Sequence, residues 1–126
     1  MRYAYCRKNY RIRDYCIRIP VSLIHNEPFR NLSPEACFLY GYLLDAQMLC
    51  GKTDEKGHLY FLLAKDALEC LLHCQKKRAS RILSELSEDG AGLITIKKAS
   101  GKRLKVYAKD YRKPILPPGA GRKYET

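Results

Sequence analysis

The chain has 126 residues, 46% of them hydrophobic, and a formal net charge of +11. This length suits one domain with short extensions, and the apolar content is sufficient for a core. The sequence contains no run of about 18 apolar residues, and no apolar segment follows the basic N-terminus, so it predicts a cytoplasmic protein with neither a membrane span nor a secretory signal.

The first segment, residues 1–14, alternates basic residues with tyrosines. Two interpretations of this arm remain open: a disordered terminus, or a basic arm that adds phosphate or minor-groove contacts to DNA. Residues 15–19 alternate apolar and polar side chains, which predicts a half-buried strand that ends at Pro20. Residues 21–24 could then form one helical turn.

The longest helix is predicted to begin at Ser33 and Pro34, because serine is a favoured N-cap and proline suits the first helical position. Apolar residues continue at the helical period, and Gly51 supplies the stop. This spacing indicates that this is the longest buried helix of the chain.

Three shorter elements follow before the most basic part of the chain. Residues 52–57 read as a polar turn, 58–62 as a short strand and 65–72 as a short helix. Another helix is predicted over residues 75–88, separated from the 65–72 helix only by a turn at His73-Cys74. Two helices joined by so short a turn are typical of a helix-turn-helix.

The helix over residues 75–88 is amphipathic. Its apolar face carries Ala79, Ile82, Leu83 and Leu86. The remaining surface is polar and basic, and we predict that it binds DNA through Gln75, Lys76, Lys77, Ser80, Arg81 and Ser84. Bases in a first helical turn oppose the helix dipole, so their placement indicates a polyanionic partner. A solvated basic face, with Arg81 paired to Glu85 one turn later or to Glu88 two turns later, is the alternative.

A basic hairpin is predicted after Gly90-Ala91-Gly92, with strands over residues 93–98 and 103–108 and a tip at Ser100-Gly101. It carries five bases: Lys97, Lys98, Lys102, Arg103 and Lys105. Lysines can simply keep an edge strand soluble, but five bases without an acid exceed that need. We predict a DNA-binding wing. Residues 112–126, rich in proline and glycine, are predicted to be a flexible tail.

The six cysteines are predicted to be free thiols, because no secretory signal accompanies them. Cys70, His73 and Cys74 lack the second pair of ligands that a structural zinc site needs, so we predict no metal and no cofactor. Cys70 and Cys74 are interpreted as small buried apolar residues. No paired acid and base, phosphate loop or nucleophilic triad is present, so the protein is not predicted to be an enzyme.

These elements together predict an α+β fold. It is a winged helix-turn-helix with about three helices, a small antiparallel sheet of three strands and a C-terminal β-hairpin wing. The strand at 58–62 should pair with the wing, because a two-stranded ribbon alone is marginally stable. Basic residues concentrate at both ends of the chain, and residues 20–74 are net acidic, which is typical of a directed nucleic-acid footprint.

Several short motifs occur in a defined order along the chain. They include Arg18-Ile19-Pro20, Asn31-Leu32-Ser33, Asp54-Glu55 and Gly90-Ala91-Gly92-Leu93-Ile94. Over residues 15–111 this order resembles the N-terminal domain of the plasmid replication initiator protein A family of Gram-positive bacteria. Gly51-Lys52-Thr53 departs from the Asn-Gly-Trp common in that family, and the chain has no tryptophan.

The resemblance implies a winged helix that binds repeated sites in the double-stranded DNA of a plasmid origin, usually as a homodimer. Typical initiators also have a second domain that contacts the replication machinery, which is therefore a further expected partner. Two alternatives use the same scaffold: a small transcriptional regulator, and a protein-interaction module. Fold alone does not distinguish the process that such a domain serves.

Overall fold

The computed structural model describes residues 2–12 and 14–113. Within them the chain forms four helices and one four-stranded sheet. In chain order these are α1 (Ser22–His25), α2 (Pro34–Cys50), β1 (Lys52–Thr53), β2 (Leu59–Ala64), α3 (Lys65–Leu72), α4 (Lys76–Leu86), β3 (Ile94–Lys98) and β4 (Arg103–Ala108). The predicted α+β winged helix is confirmed. The tail proposed for residues 112–126 lies almost wholly outside the described residues.

Helix α2 is the longest helix and is buried, as predicted, and the structure places it at the centre of the core. The Ser33 side chain accepts a hydrogen bond from the Ala36 backbone N–H, and Pro34 occupies the first turn. Leu39, Tyr40 and Leu43 are almost completely buried. The sheet and α4 pack around this helix, so α2 sets the position of both predicted DNA-binding elements.

The sheet has the order β1-β2-β4-β3, and all neighbours are antiparallel. The predicted pairing of the 58–62 strand with the wing is confirmed, since Phe61 lies opposite Val106. The prediction of three strands was wrong, because Lys52 and Thr53 pair with Tyr60 and Leu59 as a fourth, two-residue strand. The polar residues 52–57 carry no alternation that would signal so short a strand.

Residues 15–19 do not form the predicted strand. The backbone N–H of Arg18 instead donates to the carboxylate of Asp45 on α2, at 2.7 Å. Gly41 makes this approach possible, because a Cβ atom there would lie 2.8 Å from the Arg18 carbonyl oxygen. An alternating pattern specifies an extended segment, but this one lies against a helix rather than beside another strand.

The two helices of the helix-turn-helix are separate, as predicted. His73 ends α3 in the left-handed conformation, with φ of 53°, and its backbone N–H donates to the Glu69 carbonyl. Cys74 is half-buried beside the core, but Cys70 is exposed, which contradicts its predicted burial. Leu68 and its apolar neighbours occupy the core side of α3, and Cys70 points away from that side because it lies two residues along the helix.

Candidate nucleic-acid interface

Helix α4 buries its predicted apolar face and exposes its predicted binding surface. Ala79, Ile82, Leu83 and Leu86 are all buried. The side chains of Gln75, Lys76, Lys77, Ser80, Arg81 and Ser84 are all exposed. None of these six side chains has a hydrogen-bond or ion-pair partner within the described part of the chain. The whole surface, which we call the α4 surface, is therefore free to contact an external ligand.

Glu85 fixes one flank of α4 to the start of α2. The Glu85 carboxylate accepts hydrogen bonds from the backbone N–H of Ser33, at 2.9 Å, and from its hydroxyl, at 2.8 Å. Glu85 is thus occupied, and Arg81 forms no ion pair with it in the described residues. The intrahelical pairing that could have explained Arg81 without DNA is not formed.

A second contact on the same flank joins Arg78 of α4 to Glu35 of α2. The hydrogen bond from Arg78 lowers the pKa of the Glu35 carboxyl, so the acid stays ionised and paired. The charge of Arg78 is therefore already balanced by Glu35 and is not free for a phosphate. These two contacts hold α4 in a fixed orientation and place its unpaired bases on the outward side.

The wing presents only part of its predicted basic set at the tip. Gly101 forms the turn with φ of 72°, and Lys98, Lys102 and Arg103 surround it as exposed side chains. Lys97 and Lys105 lie directly opposite one another further along the strands. Their ammonium groups lie over the rings of Tyr107 and Tyr60, on the face of the sheet that points away from α2.

Two residues that hold the wing in place, Gln47 and Tyr40, were not identified from the sequence. Gln47 of α2 is 4% exposed, and its side-chain amide forms two hydrogen bonds with the backbone of Ala108 at the end of β4. The Tyr40 hydroxyl donates to the Lys109 carbonyl, and burial raises the pKa of Tyr40 to about 12. Polar residues within an otherwise apolar helix were the available signal, but their partners are more than 60 residues away.

In residues 2–12 and 14–113, nowhere do three His, Cys, Asp or Glu side chains lie close enough together to hold a metal ion. No helix in the same residues combines the length and apolar character needed to cross a bilayer.

The separate α3 and α4, the exposed basic α4 surface and the basic β3–β4 hairpin define a winged helix-turn-helix domain. A family model described as Replication initiator protein A (RepA) N-terminus matches residues 15–116. The chain belongs to this family, which confirms the resemblance seen in its motifs. It is a DNA-binding replication initiator domain.

Solved structures share the fold along most of the chain. A structure named "Structure of Rep-DNA complex" is 26% identical, with a TM-score of 0.63 and coverage of 92% of this chain and 87% of that one. "N-Terminal domain of DNA binding protein" is 24% identical, with a TM-score of 0.64 and coverage of 93% and 88%. "Structure of MDR initiator" is 24% identical, with a TM-score of 0.62 and coverage of 83% and 82%. The last two show the fold alone. No curated protein matches the chain significantly.

Proposed function

We propose that α4 enters the major groove of origin DNA and reads base edges, while the wing tip contacts the phosphate backbone beside it. The observation that carries this proposal is the α4 surface: six polar or basic side chains on one exposed side, without partners in the described residues. Arginine and glutamine can pair with base edges, and lysine and serine contact bases or phosphates. Double-stranded DNA is the partner, as the Rep-DNA complex of similar fold supports.

The biological setting follows from the family. We propose that the sites are the direct repeats of a plasmid or mobile-element origin, that the protein acts in the cytoplasm and that it acts by binding without catalysing a reaction. Binding to duplexes that carry the repeats of the neighbouring origin, measured beside scrambled duplexes, tests this proposal. Equal affinity for both would contradict sequence-specific origin recognition.

The wing tip gives a prediction about salt. Replacing Lys102 by alanine should weaken duplex binding about equally for all sequences and reduce the slope of log K against log salt by about one unit, because one phosphate contact no longer releases counterions. Fluorescence anisotropy titrations at several salt concentrations measure both effects.

The matched control for this prediction is Lys56→Ala. It removes the same charge from the turn between β1 and β2, at the end of the sheet opposite the wing tip. Its slope should stay close to that of the parent protein. If Lys102→Ala and Lys56→Ala gave the same slope, the wing tip would not contact phosphate.

A homodimer on DNA is also proposed, because helix-turn-helix proteins commonly pair two half-sites and the family implies dimers. Sedimentation of the protein at tens of micromolar, with a duplex that carries two repeats, should show two chains per duplex. A single chain per duplex at saturation, and only monomer without DNA, would contradict the proposal.

A further inference from the structure

The outer face of the sheet, which points away from α2, carries a pair of aromatic side chains. Antiparallel register places alternate residues of β2, β3 and β4 on this outer face. The residues are Tyr60, Leu62, Thr95, Lys97, Lys105 and Tyr107. The rings of Tyr60 and Tyr107 lie with centroids 5.5 Å apart and planes inclined by 48°, and both residues are only half-buried. We call this surface the tyrosine face.

Two lysines on the tyrosine face form a cross-strand pair between β3 and β4. Lys97 lies directly opposite Lys105, and like charges at such positions destabilise a sheet. The Lys97 Nζ lies 5.2 Å from the centroid of Tyr107, and the Lys105 Nζ lies 4.5 Å from that of Tyr60. Cation–π contacts offset part of the repulsion. An anion bound between the two ammonium groups would remove it, so the arrangement favours a negatively charged ligand.

The Tyr107 ring is held in place by a neighbouring turn. Its hydroxyl donates to the Asp54 carboxylate at 3.0 Å, and that carboxylate also accepts from the backbone N–H groups of Lys56 and His58. The hydrogen bond from the His58 N–H is the largest of the effects that lower the pKa of Asp54, so the acid stays ionised with its charge satisfied by three donors. The ring is therefore preorganised rather than free to collapse onto the sheet.

An open groove of about 780 Å³ lies between the tyrosine face and this turn. Besides the two tyrosines it is lined by four lysines (Lys56, Lys97, Lys105 and Lys109) against two acids, Asp54 and Glu55. Lys109 also lies 3.9 Å from Glu88. Aromatic rings within a predominantly basic groove are typical of surfaces that bind single-stranded nucleic acid. On such surfaces the nucleobases stack on the rings, and lysine or arginine side chains lie along the phosphates.

We propose that the tyrosine face binds single-stranded DNA. The ammonium groups of Lys97 and Lys105, which lie over the two rings in the free protein, then move to the phosphates, and bases stack on Tyr60 and Tyr107 in their place. A duplex keeps its bases inside the helix and cannot use these rings, whereas an unpaired strand can. Strands β3 and β4 carry the tyrosine face and also end in the wing tip. Arg103 at the tip lies on the same side of β4 as Lys105 and Tyr107. A strand that separates from a duplex bound at the wing would meet this surface next. It is distinct from the α4 surface.

The test compares Tyr60→Leu with Tyr60→Phe in the full chain, using a dye-labelled oligothymidine of about 16 nucleotides. Leucine removes the ring and phenylalanine keeps it. Tyr60→Leu should weaken oligothymidine binding about fivefold or more, the loss expected for one stacked base, and Tyr60→Phe should bind like the parent protein. Thermal melting of both variants checks that they fold, and duplex affinity should be unchanged in both.

The outcome is separable from the duplex function. Arg81→Ala should lower affinity for the specific duplex and leave oligothymidine binding intact. Equal oligothymidine affinity for the Leu and Phe variants would overturn the proposal, because stacking would then contribute nothing. Competition by polyglutamate as strong as that by unlabelled oligothymidine would also overturn it, and would identify an acidic protein segment as the ligand.

Discussion

Replacement of Arg81 by alanine is expected to weaken binding to the specific duplex by about 1–3 kcal/mol and to relax the sequence preference at one base pair. Arg81 is exposed at the centre of the α4 surface and has no ion-pair partner in the described residues. An arginine presented in this way can donate two hydrogen bonds to the O6 and N7 atoms of guanine. Anisotropy titrations with specific and scrambled duplexes measure the ratio of the two affinities.

Thermal stability should hardly change in Arg81→Ala, since the nearest acid on the helix, Glu85, is already occupied by Ser33. Arg78→Ala is the informative comparison, because it removes an arginine that is paired with Glu35. It should change stability more than specificity. Equal losses on specific and scrambled DNA for Arg81→Ala would make Arg81 a phosphate contact and would move the specificity role to Gln75, Lys77 and Ser80.

Replacement of Gln47 by leucine should lower the free energy of unfolding by about 2–4 kcal/mol, although the side-chain volume changes little. Leucine leaves the N–H and carbonyl groups of Ala108 without their partners, and each buried unsatisfied group costs about 1–3 kcal/mol. Urea denaturation, followed by circular dichroism, measures the change in midpoint and slope.

The control for Gln47→Leu is Met48→Leu, an apolar substitution at the next position of α2. Met48 is 63% exposed, so its replacement should stay within about 0.5 kcal/mol of the parent protein. At a temperature where Gln47→Leu is fully folded, its duplex affinity should equal that of the parent, because Gln47 supports the wing without contacting DNA. A stability loss no larger than that of Met48→Leu would mean that the two hydrogen bonds contribute little.

The elements of the helix-turn-helix and the wing could be predicted well because their signals are local. The Ser33-Pro34 start of α2, the break at His73 and the Gly101 turn depend on the backbone preferences of those residues. The 3.6-residue period of α4 marked Ile82 and Leu86 as core, and both are buried. The outward surface of α4 followed from the same period, because a helix that buries one side exposes the other.

The strand proposed for residues 15–19 and the overlooked β1 have a common cause. Alternation indicates an extended backbone, but a strand exists only where another strand supplies hydrogen bonds, and that partner is a tertiary fact. The backbone N–H of Arg18 donates to Asp45 of a helix and not to another strand. Thr53 lies in a polar stretch without alternation, yet it pairs with Leu59 of β2. The unexpected burial of Gln47 belongs to the same class, since its partner Ala108 is distant along the chain.

The sequence by itself determined the order of the elements, the apolar side of α4, the basic character of the wing and the family to which the chain belongs. Only the tertiary structure decided which of the basic residues are free. It paired Arg78 with Glu35, left Arg81 unpaired, and separated Lys97 and Lys105 from the wing tip to lie over two tyrosine rings. The physical reason is that composition and periodicity specify which way a side chain faces, whereas its partners depend on distances between segments that are far apart in the chain.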